Sequence, residues 1–503
     1  MLAKPADVFD REEEWSDLDG FATSQLAGLR IAVVYGRRRH GKSYLLRRLT
    51  QASHGLYHLA TEQTETISLR RFADALCAFQ KLPAGSLSFD GWEAALNAAA
   101  GLMTARAETI GDSSTPPLLV LDEFPYLVHE TPGLPSIVQS LYDRIGPGGG
   151  SGQAPLRLIL CGSAISVMSS LLSGTQALRG RGALELRIKP FGYREARAYW
   201  DIEHTEVAFR HNALIGGTPG YRELVPHPAI PERADQLGHW LTRNVLRPSV
   251  PLFNEASRVV HEDPRVRDAA SYSSVLAIVA AGESSATKIG GLLGRPATSL
   301  AYQLGMLEST GFLQRSHDIL LRRRPVISIA DPIVRLHHLV IEPYLSDLEA
   351  GRAQQIWNEL THTVDSKVFG PHFETIAREW VTRYSYDEAG LGIGATGQTN
   401  IACRHHKISH EIDVIALARG EQPQTAGATI ALIGEAKHRS RRTGVAELHR
   451  LQHIQELLNA AGHDATRATL GLFSAAGFTD ELVAEAARKR PAVLLVDLAR
   501  LYG

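Results

Sequence analysis

The chain has 503 residues, of which 21% are charged and 44% are hydrophobic. This composition is typical of a folded globular protein, and the length exceeds one compact core, so we expect about two to four domains. The formal charge of −1, from 53 basic and 54 acidic residues, excludes a globally basic nucleic-acid binder. Any nucleic-acid surface must therefore be a local patch.

The three cysteines, Cys77, Cys161 and Cys403, are far apart and odd in number. They fit neither a disulfide framework nor a cysteine-based zinc site, which indicates a reducing compartment and a cytoplasmic location. The first residues lack the apolar segment of a signal peptide. No uninterrupted apolar run approaches the roughly 18 residues of a membrane span, so we expect no membrane association.

Short apolar runs at residues 31–36, 117–124 and 156–163 alternate with helical patterns. These runs lack two-residue alternation, which is typical of strands buried on both faces of a parallel sheet. Residues 1–200 are therefore predicted to form an α/β domain with a parallel sheet.

Residues 36–43 read GRRRHGKS and match the phosphate-binding pattern G-x-x-x-x-G-K-[ST] in full. They follow an apolar run and open a helical stretch, which is the context that the pattern requires. Gly36 and Gly41 allow successive N–H groups to turn inward, where these groups and the helix N-terminus cradle phosphates. Lys42 would reach the β- and γ-phosphates, and the Ser43 hydroxyl would ligate Mg²⁺. The expected contacts of the nucleotide with the loop are Gly36, Arg37, Arg38, Arg39, His40, Gly41, Lys42, Ser43 and Tyr44.

An acidic motif ends the apolar run LLVLDEF. Asp122 would hold Mg²⁺ through water, and Glu123 would orient and polarise the attacking water; the alternative is an ordinary acidic strand end. Ser163, after the third run, is either a sensor of the γ-phosphate or a turn residue. Arg179 and Arg181 are either arginine fingers toward a neighbouring subunit's nucleotide or structural arginines. Together the two motifs predict binding of ATP or GTP, with hydrolysis as the weaker inference.

Five segments, in order along the chain, carry a family resemblance: GRRRHGKS, LLVLDEFPYL, LILCGSA, GRGALELRIKPFGYREA and GGTPGYREL. They resemble the archaeal-type ATPase family within the AAA+/STAND-like division of P-loop NTPases. This resemblance covers nearly the whole chain and implies ATP and Mg²⁺ as cofactors. It also implies a P-loop sheet of the AAA+ type with a helical subdomain, a winged helix-turn-helix, and a C-terminal α/β domain similar to restriction endonucleases.

The implied domains follow one another without a gap. They are an ATPase core at 1–200, a helical lid at 201–262, a winged helix-turn-helix at 263–335, a helical linker at 336–368 and a nuclease-like domain at 369–503.

The same resemblance implies further nucleotide contacts. The lead-in segment at 8–18 resembles the family segment near the nucleotide base, which would bring Arg11 and Glu12 close to the adenine. The loop at 217–221 would close over the nucleotide. His40 departs from the small or apolar residue expected at its position, although the backbone does the binding there. A homo-oligomer is compatible with this family.

Between residues 262 and 321 the pattern changes to three short helices, and a pair of apolar strands with a basic tip follows. The predicted helices are 272–281, 285–293 and 296–309. Three helices and a hairpin predict a winged helix-turn-helix. The third helix contains no Lys or Arg, whereas the hairpin carries Arg315, Arg322, Arg323 and Arg324. These arginines could hold a DNA backbone without reading its sequence; the alternative is a protein-interaction module.

Two strand-like segments, HEIDVIAL and LIGEAK, place carboxylates in an apolar context. Because residues i and i+2 of a strand project from the same face, Glu435 and Lys437 point together, and Asp413 on a neighbouring strand can join them. Two carboxylates beside a lysine suit a Mg²⁺ site that activates water for phosphodiester cleavage. Glu374, on the preceding helix, would be a further ligand, since the order Glu, Asp, Glu-x-Lys resembles the PD-(D/E)xK nuclease core.

This interpretation has an alternative, because a buried carboxylate needs a partner. Asp413 could pair with Lys437 in an inactive relic of the nuclease fold. The basic segments 404–410 and 437–442 add positive charge for a nucleic-acid backbone. Histidines in the first of these segments suggest zinc, but no second cluster matches them, so no zinc site is predicted.

Two functional hypotheses follow from these patterns. In the first, the chain is an ATPase that associates with DNA without sequence preference, and its nucleotide state controls the winged helix and a Mg²⁺-dependent nuclease-like domain. Its catalytic residues would be Glu123, Asp413, Glu435 and Lys437. In the second, the chain is a STAND-type regulatory switch with an inert C-terminal domain that binds other proteins. A metabolic kinase is disfavoured, because the later modules offer no small-molecule site.

Overall fold

The computed structural model describes residues 1–110, 115–149, 155–174, 176–261, 268–323, 325–403, 405, 407–488 and 493–503. The chain forms two compact units. The first comprises Met1–Pro190 with His261–Arg267, and the second comprises Phe191–Val260 with Asp268–Gly503. The main segment of the first unit ends at Pro190, whereas the predicted ATPase core extends to residue 200. Most of the regions predicted as separate later domains lie in the second unit.

The first unit is built on a five-stranded sheet. Its elements are α1 (Glu12–Thr23), β1 (Leu29–Tyr35), α2 (Lys42–Ala52), β2 (Leu56–Leu59), α3 (Glu65–Gln80), α4 (Trp92–Ile110), β3 (Leu118–Asp122), α5 (Phe124–Glu130), α6 (Leu134–Ile145), β4 (Leu156–Gly162), α7 (Ile165–Leu171) and β5 (Gly182–Arg187). The strand order is β2-β3-β4-β1-β5, and every neighbouring pair is parallel. The predicted α/β domain with a parallel sheet is therefore confirmed.

Both faces of this sheet are covered, which explains why its strands lack two-residue alternation. Ile31 and Val33 of β1 belong to a core that includes residues of α3 to α7. Their neighbours Ala32 and Val34 belong to a second core with residues of α1 and α2. The outer strands β2 and β5 were not predicted, because β2 has four residues and β5 is largely exposed.

The strand order decides which loops meet. Since β4 lies between β1 and β3 and all three are parallel, their carboxyl ends open at one edge of the sheet. The residues that follow these ends are Gly36 after β1, Glu123 after β3 and Ser163 after β4. Three segments that are distant in sequence are therefore neighbours at this edge.

The second unit begins with a series of helices, and its later part contains both strands and helices. Its elements are α8 (Tyr193–Tyr199), α9 (Thr205–Ile215), α10 (Leu237–Asn244), α11 (Glu255–His261), α12 (Ala269–Ala280), α13 (Ala286–Leu292), α14 (Ala301–Ser309), β6 (Leu313–Ser316), β7 (Val326–Ile329), α15 (Pro332–Leu336), α16 (Leu345–Glu349), α17 (Ala353–Glu359), α18 (Thr361–Val364), α19 (Gly370–Arg383), α20 (Ser385–Ala389), β8 (Ile393–Cys403), β9 (Ile408–Ala418), β10 (Ile430–Lys437), α21 (Val445–Ala460), β11 (Thr469–Ser474), α22 (Asp480–Arg488), β12 (Leu494–Asp497) and α23 (Leu498–Tyr502).

The three helices and the hairpin expected before residue 335 are present as α12, α13, α14 and the antiparallel pair β6–β7. Local capping sets their ends. The Asp268 carboxylate accepts a hydrogen bond from the Ser271 N–H, and the Ser285 hydroxyl accepts one from the Lys288 N–H. Just beyond α14, Gly311 has a positive φ of 79°, a conformation that glycine adopts without strain.

The loop that joins β6 to β7 packs on the C-terminal sheet, which is formed by β8 to β12. Ile319 and Leu320 are 3% and 8% exposed and belong to the same core as Ile412 and Ile415 of β9. The Ile319 N–H donates to the carbonyl of Gln398 in β8 at 3.2 Å. This tip of the hairpin is therefore held against the sheet by both apolar packing and backbone hydrogen bonds.

The C-terminal sheet has the strand order β12-β11-β10-β9-β8. The pairs β8–β9 and β9–β10 are antiparallel, and the pairs β10–β11 and β11–β12 are parallel. Helix α21 supplies Leu448, Leu451 and Ile454 to the core on one face. The glycine-containing segment after α20 forms the strand β8, whose residues pair with β9 over most of their length.

In the part of the chain that the structure describes, no helix combines the length and the apolar character that crossing a membrane requires.

Candidate functional site

The loop between β1 and α2 has the backbone geometry that its glycines predict. Gly36 lies so close to the segment after β5 that a Cβ on it would stand 2.3 Å from the Ile188 carbonyl oxygen. Gly41 has a φ of 91° and starts α2, and Arg39 has a φ of 67°. The loop therefore turns sharply and leads into a helix N-terminus, which is an arrangement that binds phosphates.

Lys42, the first residue of α2, is 4% exposed. Its Nζ atom donates a 2.9 Å hydrogen bond to the Arg37 carbonyl in the same loop. The positive charge of Lys42 also opposes the elevation of the Glu123 pKa, which places the ammonium group near the acidic strand end. Lys42 is therefore positioned between the loop and the acidic motif, where a nucleotide phosphate would need a cation.

His40 and Arg11 brace the loop. The His40 imidazole is buried, and its Nδ1 atom lies 3.0 Å from the Ile188 carbonyl oxygen. Burial and the charge of Arg37 hold the pKa of His40 well below its usual value, so the ring is neutral and donates through Nδ1–H. Arg11 donates to the carbonyl oxygens of Lys189 at 2.7 Å and of His40 at 3.4 Å. The unusual histidine thus ties the loop to the segment after β5.

The acidic motif is organised by hydrogen bonds. Asp122 is fully buried, and its two carboxylate oxygens accept from the Glu123 N–H at 2.9 Å and from the Tyr57 hydroxyl. The Glu123 carboxylate accepts from the Ser163 hydroxyl at 3.1 Å and from the Ser163 N–H at 3.4 Å. Burial and the neighbouring Asp122 raise the pKa of Glu123. Ser163 therefore contacts and orients the carboxylate expected to polarise water.

Mg²⁺ fits this edge of the sheet. The Ser43 hydroxyl and the Asp122 carboxylate are hard oxygen ligands of the kind that Mg²⁺ prefers. Asp122 is buried and the adjacent Glu123 is half-buried, and burial followed by the charge of Asp122 raises the pKa of Glu123. A divalent cation bound here would offset the repulsion between the two carboxylates.

The remaining predicted nucleotide contacts are spread around the loop. Arg37 is buried, Arg38 is exposed, and Tyr44 is 46% exposed with its hydroxyl donating to the Asp7 carbonyl at 3.1 Å. Glu12, expected near the adenine, forms an ion pair with Lys4 at 2.9 Å. These placements put Arg37 and Arg38 in the loop itself and leave Tyr44 on the outer side of α2.

Arg181 lies at the opposite edge of the sheet. Arg181 directly precedes β5, which runs parallel to β1. It therefore lies at the amino ends of these strands, whereas the phosphate-binding loop lies at their carboxyl ends. Its guanidinium forms a two-point ion pair with Asp143, at 2.8 and 3.0 Å. Within its own chain Arg181 does not reach the phosphate-binding loop, so a nucleotide contact remains a prediction for a neighbouring subunit only.

The loop at 217–221, which resemblance places over the nucleotide, packs inside the second unit. A Cβ on Gly217 would stand 1.9 Å from the Phe191 carbonyl oxygen, and the Gly217 carbonyl accepts from the Phe191 N–H at 2.9 Å. Tyr221 is 2% exposed, and its hydroxyl lies 3.5 Å from the Asp331 carboxylate. Gly217 is therefore required by close backbone packing.

The second unit gathers its predicted carboxylates around the end of β10. Glu435 and Asp413 are 1% and 6% exposed. The Lys437 Nζ atom contacts the Glu435 carboxylate and lies 3.6 Å from Asp413 Oδ2. Asp413 Oδ2 also accepts a 2.9 Å hydrogen bond from the Ala436 N–H. The predicted arrangement of Asp413 on β9 with Glu435 and Lys437 on β10 is present in the structure.

The carboxyl group of Glu374, in α19, interacts electrostatically with Asp413 and Lys437 of this cluster. Burial and the nearby Asp413 raise the pKa of Glu374 to about 7. The pKa of Glu435 is raised by the same two causes, although Lys437 opposes them. Among the described residues, the Oε2 atom of Glu435 is buried and has no hydrogen-bond partner. A buried carboxylate oxygen without a partner is costly, so the cluster has capacity for a cation.

Two arginines that the sequence analysis missed complete this cluster. Arg378 donates to the Asp413 carbonyl at 2.7 Å and lies 3.8 Å from Glu374 Oε2. Arg450 of α21 forms an ion pair with Glu435 and donates to the Glu411 carbonyl at 3.1 Å. No local pattern marks either residue, because each meets its partner only through the packing of a helix on the sheet.

The basic hairpin is partly neutralised. Arg315 pairs with Glu308 at 2.8 Å, and Arg323 pairs with Asp318 at 2.7 Å. Arg322 is exposed, and Arg324 lies outside the described residues. The hairpin therefore offers less free positive charge for a DNA backbone than its sequence indicates.

Residues 8–207 match a family model described as an ATPase domain predominantly from Archaea. The uncharacterised protein MJECL04 of Methanocaldococcus jannaschii is 25% identical over 346 residues, covering 68% of this chain and 70% of that protein.

Two solved structures are similar to this chain over about two thirds of its length. The Walker-type ATPase PABY2304 of Pyrococcus abyssi has a TM-score of 0.49 at 19% identity, over 67% of this chain and 97% of that one. The Aeropyrum pernix ORC2 protein, solved with ADPNP and ADP, has a TM-score of 0.42 at 13% identity, over 70% and 97%. The family match and the geometry of the loop agree: residues 8–207 carry a P-loop ATPase domain of the archaeal type.

Proposed function

We propose that the chain is an ATP-hydrolysing protein that associates with DNA and cleaves phosphodiester bonds, with Mg²⁺, at the carboxylate cluster of its second unit. The observation that carries this proposal is the convergence of three carboxylates and a lysine around the end of β10. Within that cluster, Glu435 is 1% exposed and one of its oxygens has no hydrogen-bond partner among the described residues.

The ATPase half of the proposal rests on the first unit. Lys42 and the N–H groups of the loop would hold the β- and γ-phosphates, while Ser43 and Asp122 would hold Mg²⁺. Glu123 would orient the attacking water. The raised pKa of Glu123 makes its carboxylate a stronger base, which favours acceptance of a proton from the attacking water. The family match over residues 8–207 supports this assignment.

The nuclease half rests on the second unit. Glu374, Asp413 and Glu435 would hold Mg²⁺, which when bound supplies Lewis-acid stabilisation of the phosphate. Lys437 lies beside two of these carboxylates, where its ammonium would orient the attacking water. A phosphorus–oxygen bond to that water would form as the bond to the leaving sugar oxygen breaks. The attacking water would lose one proton to bulk solvent, and the leaving oxygen would take one up from it.

DNA would be held by positive charge next to this cluster. Arg439, Arg441 and Arg442 follow Lys437 within five residues and are exposed. Two of them help line a cavity of about 650 Å³, whose lining also includes Arg210 and the acidic residues Glu206 and Asp365. Contacts of this kind bind the phosphate backbone and weaken steeply as salt rises. We propose that this segment, with Arg322 of the hairpin, holds DNA without reading its sequence, and that nucleotide state controls access to it.

The test is a cleavage assay on the full chain. Plasmid, linear and single-stranded DNA are incubated with and without ATP, in Mg²⁺ and in Mn²⁺, for the wild type and Lys437→Ala. Lys288→Ala is the matched control, because Lys288 is an exposed lysine of the same unit that pairs with Glu283. Cleavage should disappear in Lys437→Ala, persist in Lys288→Ala and require a divalent cation, while ATP hydrolysis stays unchanged in both.

A second candidate function is favoured by the charges around Glu435. Both Lys437 and Arg450 contact this carboxylate, as expected of a structural ion-pair network in an inert domain. The chain would then be a nucleotide-dependent regulatory switch whose C-terminal domain binds other proteins. Absence of cleavage under every condition, with ATP binding intact and assembly state changing with nucleotide in light scattering, would favour this function over the nuclease.

A further inference from the structure

A second group of metal-binding side chains lies near one end of the C-terminal sheet. Cys403 ends β8, His410 lies near the start of β9, and His453 lies in α21. One potential ligand atom of each residue lies within 4.8 Å of those of the other two. These residues differ from those of the carboxylate cluster described above.

Strand pairing and helix packing create this group. In the β8–β9 pair, His410 is opposite Ile401, and Cys403 is two residues beyond Ile401. Residues i and i+2 share a face, so Cys403 and His410 project from the same side of the sheet as diagonal neighbours. The imidazole of His453 meets that of His410 with a 5.4 Å separation between ring centroids. Three distant sequence positions therefore converge.

The chemistry of these three side chains is that of a zinc site. Cys403 is 1% exposed, and the Nε2 atoms of both histidines are buried. The Nδ1 atom of His453 lies 3.9 Å from a Glu456 carboxylate oxygen. One thiolate with two imidazoles suits Zn²⁺, and a fourth tetrahedral position can take water.

We propose that Cys403, His410 and His453 bind one Zn²⁺ ion, which ties the β8–β9 hairpin to α21. In a tetrahedral zinc site the ligand atoms are about 3.5 Å apart. Since the three ligand atoms already lie within 4.8 Å of one another, small side-chain movements would bring them to that spacing. Binding would release the thiol proton of Cys403. The ion would have a structural role, because its ligands come from two strands and a helix that it would hold together. The same helix carries Arg450, which contacts Glu435 and the Glu411 carbonyl.

The test measures metal binding by the full chain and does not depend on nuclease activity. The protein is freed of metal with a chelator and titrated with Zn²⁺ against a chromophoric competitor, and separately with Co²⁺. We expect one tight zinc site per chain and a Co²⁺ spectrum with the charge-transfer band of a thiolate ligand. Cys403→Ser and His453→Ala should each weaken zinc binding by about 100-fold or more and, for Cys403→Ser, remove that band.

Matched controls separate this site from others. His449→Ala changes an exposed histidine one turn earlier in α21, and Cys77→Ser changes a buried cysteine of the first unit; both should bind zinc as the wild type does. Asp413→Asn should also retain the site, since Asp413 belongs to the carboxylate cluster. The wild-type Co²⁺ spectrum is informative even if a variant fails to fold.

Several results would overturn the proposal: wild-type protein that binds no stoichiometric zinc, a Co²⁺ spectrum without the thiolate band, or zinc affinity unchanged in folded Cys403→Ser. Loss of zinc in Asp413→Asn but not in Cys403→Ser would assign the metal to the carboxylate cluster instead.

Discussion

The Thr399 hydroxyl of β8 donates a 2.7 Å hydrogen bond to the Asp318 carboxylate in the hairpin loop. The same carboxylate accepts from the N–H groups of Leu320 and Leu321 at 3.0 and 2.8 Å and pairs with Arg323. Asp318 is only 9% exposed. The tip of the basic hairpin is therefore packed on the sheet that contains β8, and the carboxylate that bonds to this sheet also pairs with Arg323.

The first prediction concerns this contact. Asp318→Ala and Thr399→Val should each lower the free energy of unfolding by about 1–3 kcal/mol, because each removes the buried hydrogen bond between these two side chains. A double-mutant cycle measured by urea unfolding should give a favourable coupling of about 1 kcal/mol or more. The exposed pair Arg352 and Asp347 in the same unit serves as the control and should couple by about 0.5 kcal/mol or less. Equal coupling in both pairs would contradict the buried contact.

Lys42→Ala should raise the Kd for ATP by about 100-fold or more, because it removes the buried ammonium at the phosphate-binding loop. Arg48→Ala changes another cation of α2, which pairs with Asp7 at the surface, and should leave ATP affinity unchanged. Both values can be measured by calorimetric titration. Tight ATP binding by Lys42→Ala would refute the assignment of the loop.

Glu123→Gln should bind ATP normally but hydrolyse it about 100-fold or more slowly, since the amide cannot accept the proton of the attacking water. Glu130→Gln, at the end of the same helix α5, is the matched control with normal turnover. Ser163→Ala should show a smaller loss, because it removes the hydroxyl hydrogen bond to Glu123 and leaves the hydrogen bond from the Ser163 N–H in place. Steady-state phosphate release measures all three, and an unchanged rate in Glu123→Gln would exclude its catalytic role.

The stability of the metal-free chain, measured in the presence of a chelator, should depend on pH. The folded pKa of Glu374, raised to about 7, exceeds its ordinary value, so its contribution to stability is present at acid pH and is lost as the pH rises through about 7. Glu374→Gln removes this loss. Its Tm advantage over the wild type should therefore be larger at pH 8 than at pH 5, by the equivalent of about 1 kcal/mol after allowance for partial exposure. A difference of opposite sign would show that Glu374 is stabilised as an anion.

The sequence by itself determined the features that depend on neighbouring residues along the chain. The phosphate-binding loop, the acidic end of β3 and the three helices before the hairpin are all encoded by local spacing, glycine conformation and capping. Asp413, Glu435 and Lys437 could also be identified, because two-residue periodicity in a strand is local information.

Only the tertiary structure decided which of these groups meet other parts of the chain. Tyr57 reaches Asp122, and Arg450 reaches Glu435, across distances in sequence that no periodicity connects. The position of Arg181 at the far edge of the first sheet followed from parallel strand pairing. The hairpin tip at Ile319 became a core residue because β8 formed a strand beneath it. Such contacts arise when packing buries apolar faces, and their partners are then fixed by the order of strands.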